Sequence, residues 1–200
     1  MLPVEILDNV FRYLDLPTLE VSSRSHSTIF CIAERYLYAD IVVHNSGKYE
    51  CGDWKLPLNV TQLSHLLSEW PYVANYVFGF TIDVTYDDLY IVQYLETVTS
   101  ILAQLQNLRR MRLLDRFPSH PQENPEGLPG RISLLLAKYL RDLPSMKNLS
   151  FMGGYINIAC FFLHQCKSIE GLEFEHCAIT DLDVSKLDSP SLACVDHRGW

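Results

Sequence analysis

Apolar positions in the first forty residues recur at helical spacing. Ile6, Leu7, Val10, Phe11 and Leu14 follow i, i+1, i+4, i+5, i+8, the pattern of a helix that buries one broad face. Pro3 suits the first turn of that helix, where a missing N–H costs nothing. Asp15-Leu16-Pro17-Thr18 breaks the pattern, and Thr18 is the expected cap of the next helix. Ile29, Ile32, Ala33, Tyr36 and Leu37 return to helical spacing, and Ile41-Val42-Val43 closes the segment as a short β-like run. Ser22–Thr28 is polar throughout, so it cannot bury a helix face; a short, frayed helix or a loop is expected there.

Farther along, a different pattern repeats. Met146-Lys-Asn-Leu149-Ser-Phe151, Ile169-Glu-Gly-Leu172-Glu-Phe174 and Leu192-Ala-Cys-Val195-Asp-His197 share one L-x-x-L-x-L frame at a constant step of 23 residues. The middle copy continues through Cys177 and Ile179, and so resembles a whole leucine-rich repeat with Cys177 at its Asn/Cys position. Leu108–Leu113 is an earlier copy and Val77–Ile82 a weaker one. Asp88–Leu105, Ile132–Leu143 and Tyr155–Cys166 between them carry helical periodicity. Residues 117–130, with four prolines and two glycines, read as an inserted loop, and 44–57 as a polar connection. A single strand–helix unit cannot cover its own apolar side, whereas a stack of them buries a continuous core behind a parallel sheet.

The expected fold class is therefore α/β. A three-helix module spans 1–43, a linker and helical lead-in spans 44–76, and a short leucine-rich-repeat-like solenoid spans 77–200. Strand alternation places Gly79, Thr81, Asp83, Arg110, Arg112, Leu114, Asn148, Ser150 and Met152 on the outward face of the sheet. Gly171, Glu173, Glu175, Cys194, Asp196 and Arg198 continue that face, which runs from basic to acidic. Arg110, Arg112, Ser150, Met152, Glu173, Glu175 and Asp196 are the candidate contacts to a protein partner.

LPVEILDNVFRYLDLPTL followed by IAERYLYADIVV resembles an F-box of fungal style over about 40 residues, a fifth of the chain. Its most specific part is Leu2-Pro3-x-Glu5-Ile6-Leu7-x-x-Val10-Phe11-x-Tyr13-Leu14; the polar run Ser22–Thr28 departs from a largely apolar stretch in the family. The resemblance implies a substrate-recognition subunit of a cullin-RING (SCF) ubiquitin ligase. In that role Leu2, Pro3, Ile6, Leu7, Val10, Phe11, Leu14, Leu16 and Leu19 would serve a Skp-family adaptor, which bridges to cullin and RING subunits. The repeats would hold a target protein. The other reading is a leucine-rich-repeat interaction scaffold not engaged with a ligase.

Composition narrows the partners. Hydrophobic residues make up 48% and charged residues 20%, as in a globular chain, and the net charge of −8 disfavours nucleic acid and anionic membrane. The opening MLPVEILD carries Glu5 and Asp8 where a secretion signal needs basic residues, and no apolar run approaches the roughly 20 residues of a membrane helix. The six scattered cysteines are expected to be buried free thiols, in a protein of the cytoplasm or nucleus. His164, Cys166, His176, Cys177, Cys194 and His197 lack zinc-ligand spacing, and no phosphate loop, serine elbow or HExxH motif occurs. No cofactor, no metal and no catalytic residue are expected.

Overall fold

Three helices form, the first and third where the apolar spacing places them. The computed structural model describes residues 3–24, 27–44, 56–84, 91–115, 145–152, 155–157, 169–175, 178–180 and 195–198. Helix α1 (Val4–Phe11) follows Pro3, and α2 (Leu16–Ser23) starts behind Asp15, whose carboxylate accepts the Thr18 N–H at 2.9 Å. The cap is thus Asp15 rather than Thr18, because the chain is extended at Asp15 and turns helical at Leu16. The two hydrogen bonds from Thr18 hold the Asp15 carboxyl below its ordinary range. Helix α3 (Ser27–Leu37) completes a small core of Phe11, Leu19, Ile32, Ala33 and Leu37, with Leu7, Leu14 and Leu16 packed against it. The polar run is divided: Ser22 and Ser23 end α2, Ser27 begins α3, and residues 25 and 26 lie outside the described residues.

The remainder is built on a parallel sheet. Its strands are β1 (Asp40–His44), β2 (Leu56–Asn59), β3 (Gly79–Val84), β4 (Arg110–Asp115), β5 (Asn148–Met152), β7 (Gly171–Glu175) and β9 (Val195–Arg198), in the order β2-β1-β3-β4-β5-β7-β9. A separate parallel pair joins β6 (Tyr155–Asn157) to β8 (Ala178–Thr180). Register aligns Ile41, Phe80, Met111, Leu149, Leu172 and Val195 in one row, and Val43, Ile82, Leu113, Phe151, Phe174 and His197 in another. The side chains of these rows described on β1, β3, β4 and β5 are buried in one core. Helix α4 (Val60–Glu69) adds Leu63 and Leu67 to it, and α5 (Ile91–Leu102) adds Val98 and Ile101.

One backbone motif recurs at four successive strand starts. The Ala39 carbonyl accepts the N–H groups of Phe78 and Gly79, Phe78 those of Arg109 and Arg110, Arg109 those of Lys147 and Asn148, and Lys147 those of Glu170 and Gly171. Asn107 Nδ2 reaches the Asn75 carbonyl at 2.9 Å, and Ser145 Oγ the Gln106 carbonyl at 2.7 Å, one step on. These bonds satisfy main-chain groups that a turn into a strand would otherwise leave unpaired.

Four expectations change. Ile41-Val42-Val43 does not merely close the helical segment: β1 lies inside the sheet, between β2 and β3. The expected polar connection 44–57 ends in an edge strand, the place in a sheet where a proline such as Pro57 is tolerated. Tyr155–Cys166 begins as a strand, since Tyr155–Asn157 finds a partner in Ala178–Thr180; residues 158–168 lie outside the described residues. Cys31 is exposed rather than buried. The expected loop 117–130 and helix 132–143 also lie outside the described residues.

Candidate functional site

Two surfaces hold the residues singled out by sequence. On α1 the apolar positions divide between two sides. Leu7 and Phe11 turn inward with Leu14, whereas Ile6 and Val10 are each 48% exposed and Tyr13 is 79% exposed. Ile6 and Val10, four apart, share one side of α1, and Pro3 and Tyr13 flank the helix just before and after it. Leu16 is half-buried against the small core, Leu19 is fully inside it, and Leu2 lies outside the described residues. Phe11 and Leu19 are therefore framework rather than contact surface: α3 packs on the side of the helices that carries them. Val4, Tyr13, Val21 and Phe30 are exposed apolar side chains that the sequence reading did not include. Tyr13 was recoverable from its spacing to Ile6 and Val10; Val21 and Phe30 depend on how the helices pack.

Polar contacts fix how α1 lies on α3. Tyr36 hydrogen-bonds both Arg12 and Asp8; the contact with Tyr36 raises the Arg12 pKa, and burial raises that of Tyr36. Two residues earlier on α3, Glu34 is only 3% exposed and faces Tyr72, whose hydroxyl lies 3.4 Å from both carboxylate oxygens. Tyr72 belongs to a 3-10 helix (Pro71–Tyr76) and stacks edge-on with Tyr76, while Tyr38 packs against both cores. Burial pushes the Glu34 carboxyl above its ordinary value, and the Tyr72 hydrogen bond only partly offsets it. Burial, and then the nearby Glu34, also raises the Tyr38 and Tyr72 hydroxyls.

The second surface is the sheet face opposite the core. Register brings Asp40, Gly79, Arg110, Asn148 and Gly171 into one row, and Val42, Thr81, Arg112, Ser150, Glu173 and Asp196 into the next. His44, Asp83, Leu114, Met152, Glu175 and Arg198 form a third. The seven candidate contacts thus share one face by strand position; for Glu175 and Asp196 only the backbone is described.

That face is not uniformly open. Val42, Thr81, Asp83 and Leu114 are buried, which corrects the expectation that Thr81, Asp83 and Leu114 face solvent. Alternation sets the side of a sheet, while burial depends on what packs there. Arg110 and Asn148 are exposed, and Arg112, Ser150, Met152 and Glu173 are half-buried. The Ser150 hydroxyl oxygen is covered and has no hydrogen-bond partner among the described residues.

Gly79 permits a contact between strands that are not neighbours. Asp40 on β1 reaches past β3 to Arg110 on β4, with Oδ2 2.9 Å from a guanidinium nitrogen. A Cβ on Gly79 would lie 1.7 Å from Asp40 Oδ1, so no other residue fits there while Asp40 holds this position. Asn148 leans over Gly171 in the same manner. Just before the strands, Arg109 lies over the Phe78 ring at 5.2 Å and Lys147 pairs with Glu170.

Among the described residues no group of three or more His, Cys, Asp or Glu side chains is placed to hold a metal ion. His164, Cys166, His176, Cys177 and Cys194 lie outside them, and His197 is described only as a strand position. No described helix is long and apolar enough to cross a membrane. Comparison of the chain with protein-family models and with curated proteins finds no match in either.

Proposed function

We propose that this chain is the substrate-recognition subunit of a cullin-RING (SCF) ubiquitin ligase. Its F-box docks on a Skp-family adaptor, and a leucine-rich-repeat-like solenoid presents a target protein to the conjugating machinery. The chain itself performs no chemistry; it raises the local concentration of target lysines near an activated thioester.

The observation that carries the reading is the stripe Ile6, Val10 and Tyr13, left exposed by a module whose other side already has its own core. Fully covering a side chain of this kind is worth about 1.5–3 kcal/mol, so three of them supply a meaningful share of a protein–protein affinity. Support also comes from the repeated frame of the strands and from the backbone bonds that recur from one strand start to the next, at unequal steps along the chain. The module and the sheet share Tyr38 in their packing, which couples the position of a docked adaptor to that of a bound target.

A pull-down of the full chain with a purified Skp-family adaptor tests this. The wild type is expected to bind, and the double variant Ile6→Asp, Val10→Asp to lose binding while keeping its helical circular dichroism. Substitutions at Leu7 or Leu14 would not serve, since both pack in the module and their loss would unfold it. Absence of wild-type binding at micromolar concentration rejects the ligase role. The reading left would be an interaction scaffold apart from any ligase, which the polar Ser22–Thr28 segment and the short α2 favour.

A further inference from the structure

The chain carries a net charge of −8, yet four of its sixteen Lys and Arg residues gather on or just before two adjacent strands. They are Arg109, Arg110 and Arg112 at β4, and Lys147 at β5. Arg109, Arg110 and Lys147 are each oriented: Arg109 by the Phe78 ring, Arg110 by Asp40, and Lys147 by Glu170. Arg112 also has a contact of its own within the chain. The Arg110 side chain stays 59% exposed while paired, and a guanidinium has five N–H donors, so the pair with Asp40 orients it and leaves donors for a second anion. A cation already held in place loses less entropy on binding than a free side chain.

Two strands farther, the row of Arg112 reaches Glu173 on β7, and one strand beyond that Asp196 on β9. Strands are about 4.8 Å apart, so β4 to β7 spans about 10 Å and β4 to β9 about 14 Å. An extended segment advances about 3.3 Å per residue and directs alternate side chains to one side, so positions i and i+4 stand about 13 Å apart.

We propose that the open part of this face binds an extended segment of a target protein lying across the strands. An acidic residue sits at Arg110 and Arg112, and a basic residue four positions away sits past Glu173, toward β9. The inference rests on the reading of this face as the target-holding surface and adds the chemistry of the target. A nucleic-acid strand carries phosphates along its whole length and would meet Glu173 with repulsion, which is why the occupant is a segment of mixed charge.

The test uses the full chain and fluorescein-labelled extended peptides about twelve residues long, read by fluorescence anisotropy. One peptide carries an acidic and a basic pair offset by four positions, a second has the offset reduced to one, a third is wholly acidic, and a single-stranded oligonucleotide completes the set. The first peptide is expected to bind about five- to tenfold more tightly than the other three, with weaker binding as salt rises from about 50 to 200 mM. Arg110→Glu is expected to lower that affinity about tenfold and Arg110→Gln by less, both with unchanged melting curves. Equal affinity for all peptides, a preference for the oligonucleotide, or indifference to both Arg110 variants would overturn the proposal. Adaptor binding is scored separately with the Ile6 and Val10 variant. Adaptor capture without peptide selectivity removes only this inference, and peptide selectivity without adaptor capture removes only the ligase role.

Discussion

The helical module and the sheet region treat the same kind of residue in opposite ways. In the sheet region large apolar side chains such as Leu63, Phe80, Ile101 and Phe151 are wholly enclosed, Trp70 and Tyr72 between α4 and β3 are exposed, and exposed strand positions such as Arg110 and Asn148 are polar or charged. In the module five residues form the core, while Ile6, Val10, Tyr13 and Val21 remain at the surface. A three-helix unit of this size has too little interior for all its apolar residues, and surface-to-volume scaling makes the remainder unavoidable unless a partner covers it. Apolar exposure in the module therefore points to an interface, whereas charged exposure on the sheet points to orientation of a binding partner.

That contrast is breakable by measurement. The largest effect is expected in the sheet core: Phe151→Ala removes a fully buried ring and should cost about 3–5 kcal/mol in urea unfolding, enough to threaten the fold. Leu19→Ala should cost about 2–5 kcal/mol by the same measurement, and helix loss in the module should precede loss of the sheet if the two cores melt separately. Ile6→Asp, on the exposed side, should shift unfolding by no more than about 0.5 kcal/mol while disrupting adaptor capture. A large stability loss at Ile6 would mean that the stripe is framework and would erase the distinction between its two sides.

The junction between the regions gives a pH-dependent prediction. The folded chain holds the Glu34 carboxyl above its ordinary value of 4.5, so the folded state binds more protons than the unfolded one between 4.5 and the raised value. Stability from this group is accordingly full below 4.5 and is lost as pH rises through the raised value. Glu34→Gln, which cannot ionise, should match the wild type most closely at low pH and gain on it as pH rises to 7, followed by thermal unfolding across that range. A constant difference at every pH would show that folding does not raise the pKa of this carboxyl.

A small effect is also expected at the clasp over β3. Gly79→Ala forces Asp40 away from Arg110, and the exposed pair is worth about 0–1 kcal/mol. Asp40→Ala should have a similar effect, and the double variant should cost no more than either alone, because both remove one contact. Additive losses in that cycle would show the two positions to be independent.

Much of this was legible along the chain. The L-x-x-L-x-L frame marked β3, β4, β5 and β7, and alternation placed Arg110, Arg112, Ser150 and Glu173 in their rows, because Cβ atoms must alternate along any strand. Helix α5 falls inside the periodic stretch 88–105. Ile41-Val42-Val43 was seen as β-like but not assigned to the sheet, since a three-residue apolar run says nothing about its neighbours. Tyr155–Asn157 read as helix because a short apolar segment is ambiguous in period, and only the partner strand Ala178–Thr180 resolves it.

What the sequence determined by itself is the local alternation: which residues share a side of α1, and which share a side of each strand. These follow from 3.6- and 2-residue periods that hold wherever the element sits. Only tertiary structure decided which side is covered. Phe11 is enclosed and Val10 exposed on the same helix, and Asp83 is buried while Arg110 is open on the same sheet face. Coverage depends on contacts between residues far apart in the chain, such as Asp40 meeting Arg110 or Glu34 meeting Tyr72, and no local period encodes those encounters.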